Sequence, residues 1–182
     1  MRGNKTELCE GGHRVPCFIR WPNGGPGKPR DIAGLTQAQD LLPTLIDFCG
    51  IVTPIPMKFD GINLAPVLRG ESGVSEDRML VINYSRMPIG FEYPSPSAPS
   101  IMKREGAAVL WKRWRLLEDR ELYDLDADPM QQINVIDRHP EVVMKMRGHL
   151  NDWWDFSDLR SFINNLNDTG IYSIRLLIRH QP

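Results

Sequence analysis

A chain of 182 residues with 41% hydrophobic and 25% charged residues can bury one core or two small ones, which places it among globular proteins. A formal net charge of −1 argues against a nucleic-acid partner held by a basic stripe, so none is expected, and no apolar run approaches the length of a membrane span. Three cysteines cannot all pair within the chain, and none lies in a CxxC spacing.

The first informative segment runs from Lys5 through Glu10-Gly11-Gly12-His13-Arg14 into Cys17-Phe18-Ile19-Arg20-Trp21-Pro22. Two adjacent glycines let the backbone approach another group closely or take φ > 0, and Phe18-Ile19 read as the start of a buried strand. Cys9, His13 and Cys17 sit four apart, but Gly11-Gly12 and Pro16 break both helix and strand there, so no metal site is expected. Residues 23–30 are rich in glycine and proline and predict an exposed loop. Asp40 then suits a helix N-cap, Pro43 the first turn and Gly50 the end, with Leu41, Leu42, Leu45, Ile46 and Phe48 as the buried side. A loop through Pro54 and Pro56 leads to a shorter helix near Leu64–Leu68. Met79–Tyr84 reads as a buried strand, and the proline-rich run from Tyr93 to Pro99 as an irregular loop.

Residues 107–117 and 121–125 predict two strands joined by a turn at Glu118-Asp119-Arg120. The mixed charges around Lys112, Arg113 and Arg115 fit a solvated hairpin. A helix starts at His139-Pro140-Glu141, with Val143, Met146, Leu150 and Trp153 or Trp154 at helical spacing, and should cover the small sheet. His139 reads as a capping position of that helix and His149 as a surface position. Beyond Asp155 the pattern fades, although Ile171, Ile174, Leu176 and Ile178 suit a terminal strand.

Four segments in order carry a resemblance. Lys5-x4-Glu10-Gly11-Gly12-x-Arg14-x-Pro16, Asp40-Leu41-Leu42-Pro43-Thr44-Leu45, Asp60-Gly61-Ile62-Asn63-Leu64 with Leu68-Arg69-Gly70, and Glu121-Leu122-Tyr123-Asp124-Leu125 with Asp128-Pro129 and Asn134 resemble the sulfatase family, the arylsulfatase-type sulfuric ester hydrolases. The resemblance implies the C-terminal part of an alkaline-phosphatase-like α/β domain over residues 1–78, a small antiparallel sheet packed on a C-terminal helix over residues 79–156, and a tail of uncertain structure over residues 157–182. Strands near Phe18-Ile19 and Leu80-Ile82 are expected to lie beside partners outside this chain. The resemblance also implies a periplasmic or extracellular parent, although the N-terminus lacks the apolar core of a signal peptide.

The family's Cys-x-Pro-Ser-Arg, whose cysteine becomes formylglycine, is not found around Cys9, Cys17 or Cys49. The family's last metal ligands normally lie just upstream of the lysine motif, and this chain begins four residues before Lys5. Met1 is therefore expected to be an internal methionine of a longer protein. Calcium and formylglycine belong to that full-length parent, and no metal ligand is expected in this chain.

Sulfate ester cleavage moves negative charge onto the sulfuryl and leaving oxygens, so a fixed positive charge nearby lowers the barrier. By resemblance Lys5 takes that catalytic role, as a compact point charge against the sulfate oxygens. Glu10 can hold Lys5 or its loop through a charge pair, Gly11 and Gly12 permit the turn, and His13 and Arg14 are candidates for the substrate rim. A sulfated small molecule or glycan is the expected partner. Two other readings remain open: a truncated module that binds sulfated glycans without turnover, and a non-functional remnant.

Overall fold

The structure, a computed structural model, describes residues 1–5, 7–22, 24–83 and 104–168, with side chains described as far as residue 156. Strands β1 (Met79–Asn83), β2 (Ala107–Trp111), β3 (Trp114–Leu117) and β4 (Glu121–Asp124) form one antiparallel meander in the order β1-β2-β3-β4. Side chains alternate across a strand, so the register sorts them into two faces. Val81, Val109, Leu116 and Leu122 stand opposite one another on one face; Leu80, Leu110, Arg115 and Tyr123 do so on the other.

The first face packs against Val142, Val143, Met146 and Leu150 of the long helix at Pro140–Asp168. The second is covered by Cys9, with Leu8 and Leu35 beside it. The sheet is thus buried on both sides, which is why β2 reads Ala-Ala-Val-Leu rather than as an alternation. Pro140 opens the helix without wasting a donor, and Glu141 in the first turn faces the positive end of its dipole. The helix continues to Asp168, past the point where its apolar periodicity fades.

Ahead of the sheet lie a one-turn helix α1 (Glu10–His13), α2 (Leu41–Phe48) and α3 (Ala65–Arg69), so that the long helix is α4. Gly50, at φ +60°, ends α2 with the Ile51 amide reaching back to the Ile46 carbonyl, a left-handed closure that a side chain would strain.

Four expectations are corrected. Residues 107–117 are not one strand but the hairpin β2–β3, turned at Lys112-Arg113 with Lys112 at φ +47°. The closure rests on Arg115, whose Nη1 donates to the Lys112 and Trp114 carbonyls, and on Arg113, which pairs with Asp124 and Asp126. Phe18-Ile19 form no strand and no buried segment: residues 14–21 are irregular and Phe18 is 92% exposed. A strand needs a neighbour to take its backbone bonds, and the four strands give theirs to one another. The β1 strand, expected to lack partners, pairs along its whole length with β2.

The fourth correction concerns α2. Its buried residues are Pro43 and Thr44, whereas Leu41, Leu42 and Leu45 are exposed. Thr44 Oγ1 donates to the Asp40 carbonyl and accepts from the Leu64 amide, so the helix is fastened to this chain by its polar positions. Asp40 does stand at the N-cap position but caps nothing there; its carboxylate serves other donors. The expected loop at residues 93–99 and the strand at residues 171–178 lie outside the described residues.

Candidate functional site

The segment from Arg2 to Arg14 lies over the second face of the sheet, and its backbone is folded tightly on itself. The Gly11 amide donates to the Arg2 carbonyl and the Gly12 amide to the Cys9 carbonyl, both at 2.8 Å. A Cβ on Gly11 would overlap the Gly3 carbonyl oxygen, and one on Gly12 would overlap that of Glu7. Close approach, rather than positive φ, is therefore what the glycine pair supplies. At the apex, the Asn4 amide donates to Glu7 Oε2 at 2.9 Å while the Glu7 amide donates to the Asn4 carbonyl. Lys5 sits between them, exposed, with no hydrogen bond or ion pair among the described residues.

Glu10 makes no pair with Lys5. It is 3% exposed, and its carboxylate accepts from Arg115 Nε at 2.5 Å, with the more exposed Arg14 guanidinium at 3.7 Å. Arg115 is itself 6% exposed, because its position in β3 points it onto the loop face between Leu110 and Tyr123. The Glu10 amide donates to Gln131 Oε1 at 2.9 Å. Gln131 is fully buried at φ +54°, set there by a turn in which Asp128 Oδ2 accepts from the Gln132 and Ile133 amides.

The other end of the loop is held similarly. Arg2 Nη1 donates to the Tyr123 hydroxyl at 2.7 Å and to the Gln131 carbonyl at 3.0 Å, and the Tyr123 hydroxyl donates to Glu121. Burial and the bond to Glu121 push the Tyr123 phenol up, against the opposing effect of Arg2. Burial likewise pushes the Cys9 thiol up, with Glu7 adding to it and Arg2 opposing. Cys9 is thus a neutral packing group and no activated nucleophile.

His13 is half-buried, with Nε2–H donating to the Leu8 carbonyl at 3.1 Å. Burial pulls its pKa down, and Arg115 adds to this against the pull of Glu10, so the ring is neutral near pH 7. Arg14 is the most open of the motif's charged groups that are paired. Among the described residues no cluster of three His, Cys, Asp or Glu side chains could hold a metal ion.

Sequence reasoning placed Arg115 on a solvated hairpin, which its burial beside Glu10 corrects, and it missed Gln131. Arg115 lies at an inward position between Trp114 and Leu116, where one charge on a buried row signals a buried partner. Gln131 follows Asp128-Pro129 by two residues, and nothing in a lone glutamine marks it as buried.

The chain belongs to the sulfatases: the family model described as N-sulphoglucosamine sulphohydrolase, C-terminal, matches residues 4–155. It is 30% identical to the N-acetylgalactosamine-6-O-sulfatase of Bacteroides thetaiotaomicron over 152 residues, which are 80% of this chain and 28% of that protein. It is 36% identical to the steryl-sulfatase of Mus musculus over 113 residues, 62% of this chain and 16% of that protein. A solved 2-O GAG sulfatase aligns with a TM-score of 0.47 and 29% identity, over 67% of this chain and 26% of its own. The chain spans less than a third of the length of each of these relatives.

Proposed function

We propose that the chain is the C-terminal part of an arylsulfatase-type, alkaline-phosphatase-like hydrolase that cleaves sulfate esters to alcohol and inorganic sulfate. The observation that carries this reading is Lys5: an ammonium without an ion pair among the described residues, at the apex of a loop whose backbone is pinned on both sides of it. A positive charge that no acid among the described residues neutralises is available to the oxygens of a sulfate ester, where charge accumulates as the S–O bond breaks. His13, neutral and hydrogen-bonded to the loop's own backbone, lines the same segment, and Arg14 offers a second exposed cation toward a sulfated small molecule or glycan.

Calcium and formylglycine would be contributed by a longer protein. The exposed apolar side chains between residues 15 and 62 would be the surface on which the remainder of such an enzyme packs. Export to the periplasm or the cell exterior fits the same family reading.

The test begins with the coding frame upstream of Met1, where an in-frame Cys-x-Pro-Ser-Arg supports the hydrolase. In that longer protein Lys5→Ala should lower kcat/KM for an aryl sulfate at least tenfold, about 1.4 kcal/mol of barrier. Unchanged turnover would remove Lys5 from the reaction.

A further inference from the structure

We propose that Arg115 and Gln131, which lie outside the lysine motif, are positioning residues for Lys5: the small sheet and the turn that follows it fix where the lysine loop stands. The inference rests on Lys5 acting on the sulfate group. Its support is the placement of the loop's anchors. Of the segment from Arg2 to Arg14, Arg2 and Glu10 reach across to the sheet side, and Lys5 lies between them in sequence. Arg115 and Gln131 receive those anchors, more than a hundred residues further along the chain.

The grip is stiff for a physical reason. Arg115 commits Nε to Glu10 and Nη1 to two carbonyls of its own hairpin, so the guanidinium cannot follow the loop if the loop drifts. Gln131 holds the Glu10 amide with its side chain and the Arg2 guanidinium with its carbonyl, tying both ends of the loop to one residue. Glu10 and Arg115 are both almost fully buried, so either one left alone would be an uncompensated charge in a dry site, and that penalty keeps the loop in place. Glycine at positions 11 and 12 then removes the remaining slack, since carbonyl oxygens occupy the space of any Cβ. A reacting group displaced by about 1 Å can lose two orders of magnitude in rate.

The test is Glu10→Gln, alone and with Lys5→Ala, in the longer protein with an aryl sulfate as probe, together with amide hydrogen exchange of this chain. If Glu10 and Arg115 act through Lys5, Glu10→Gln lowers kcat roughly tenfold when Lys5 is present and costs nothing further when Lys5 is alanine. In the same variant the Gly11 and Gly12 amides exchange at least tenfold faster while those of β2 and β3 keep their protection. Gln131→Met, which removes the acceptor without leaving a buried charge, should show the same pattern in smaller measure, and it serves where Glu10→Gln does not fold. Equal losses with and without Lys5, or unchanged exchange at Gly11 and Gly12, would overturn the positioning role. Unchanged turnover in Lys5→Ala alone would instead remove Lys5 from the reaction, absence of aryl-sulfate turnover in the unsubstituted protein would overturn the sulfate-ester reading, and in either case the exchange result would decide the grip by itself.

Discussion

Asp40 shows how much one buried carboxylate can organise. It is fully buried and accepts four bonds: from the Gln37 amide at 2.8 Å, the Ile62 amide at 2.9 Å, and Arg78 in bidentate form at 2.7 and 2.9 Å. Those donors fill the four lone-pair directions of an ionised carboxylate. Arg78, which also donates to the Leu35 carbonyl, thereby joins the segment before α2 to the start of β1. Burial by itself would raise the Asp40 pKa, but the Arg78 hydrogen bonds, the two amides and the Arg78 charge outweigh it and hold the carboxyl below its usual range. Asp40→Asn keeps the shape and strands the guanidinium, so it should cost about 3–5 kcal/mol in urea unfolding at neutral pH. The sign of the pH effect follows from the depressed value. The stabilisation is fully present above the unfolded pKa of about 3.9 and is lost as pH falls through the lower folded value. Unfolding free energy followed from pH 6 downward should therefore fall more steeply in the wild-type chain than in Asp40→Asn across that acid window.

At the scale of elements, α4 is where sequence and structure agree best. Val143, Met146 and Leu150 recur at helical spacing, and all three are buried against the sheet. Met146 is completely enclosed, so Met146→Ala should destabilise by about 2–5 kcal/mol, while Met144→Ala, at a position 72% exposed, should stay within about 0.5 kcal/mol. A thermal or chemical melt of the two variants checks the facing of the helix directly. The β2–β3 hairpin was not legible for a definite reason. Tight two-residue turns announce themselves through Asn-Gly or Asp-Gly, whereas Lys112 takes its left-handed backbone because Arg115 and Trp114 hold the turn from outside it. The candidate site was legible in the same partial way. Lys5, Glu10, Gly11 and Gly12 stand out in sequence because charge and glycine crowd together, but the partners of Glu10 come from strand and turn residues with no local mark.

At the scale of the whole molecule the chain is lopsided. The sheet and α4 enclose their apolar side chains, while between residues 15 and 62 Phe18, Leu42, Leu45, Ile51, Val52 and Ile55 stand in solvent. Periodicity in α2 identified an apolar face correctly and assigned it to this chain's own core, because a pattern of leucines says that a surface will be covered and not by what. The polar positions Asp40 and Thr44 turned out to make the internal contacts instead. Exposed apolar surface of this kind drives association in dilute buffer. Replacing Phe18 with Ser, Leu42 with Glu and Val52 with Lys together should therefore shift the chain toward monomer in sedimentation velocity. Since these side chains contribute little burial here, the triple variant should unfold within about 0.5 kcal/mol per substitution of the parent. A comparable loss of stability would mean that the face is already packed within the chain, and unchanged association would mean that contacts elsewhere hold the copies together.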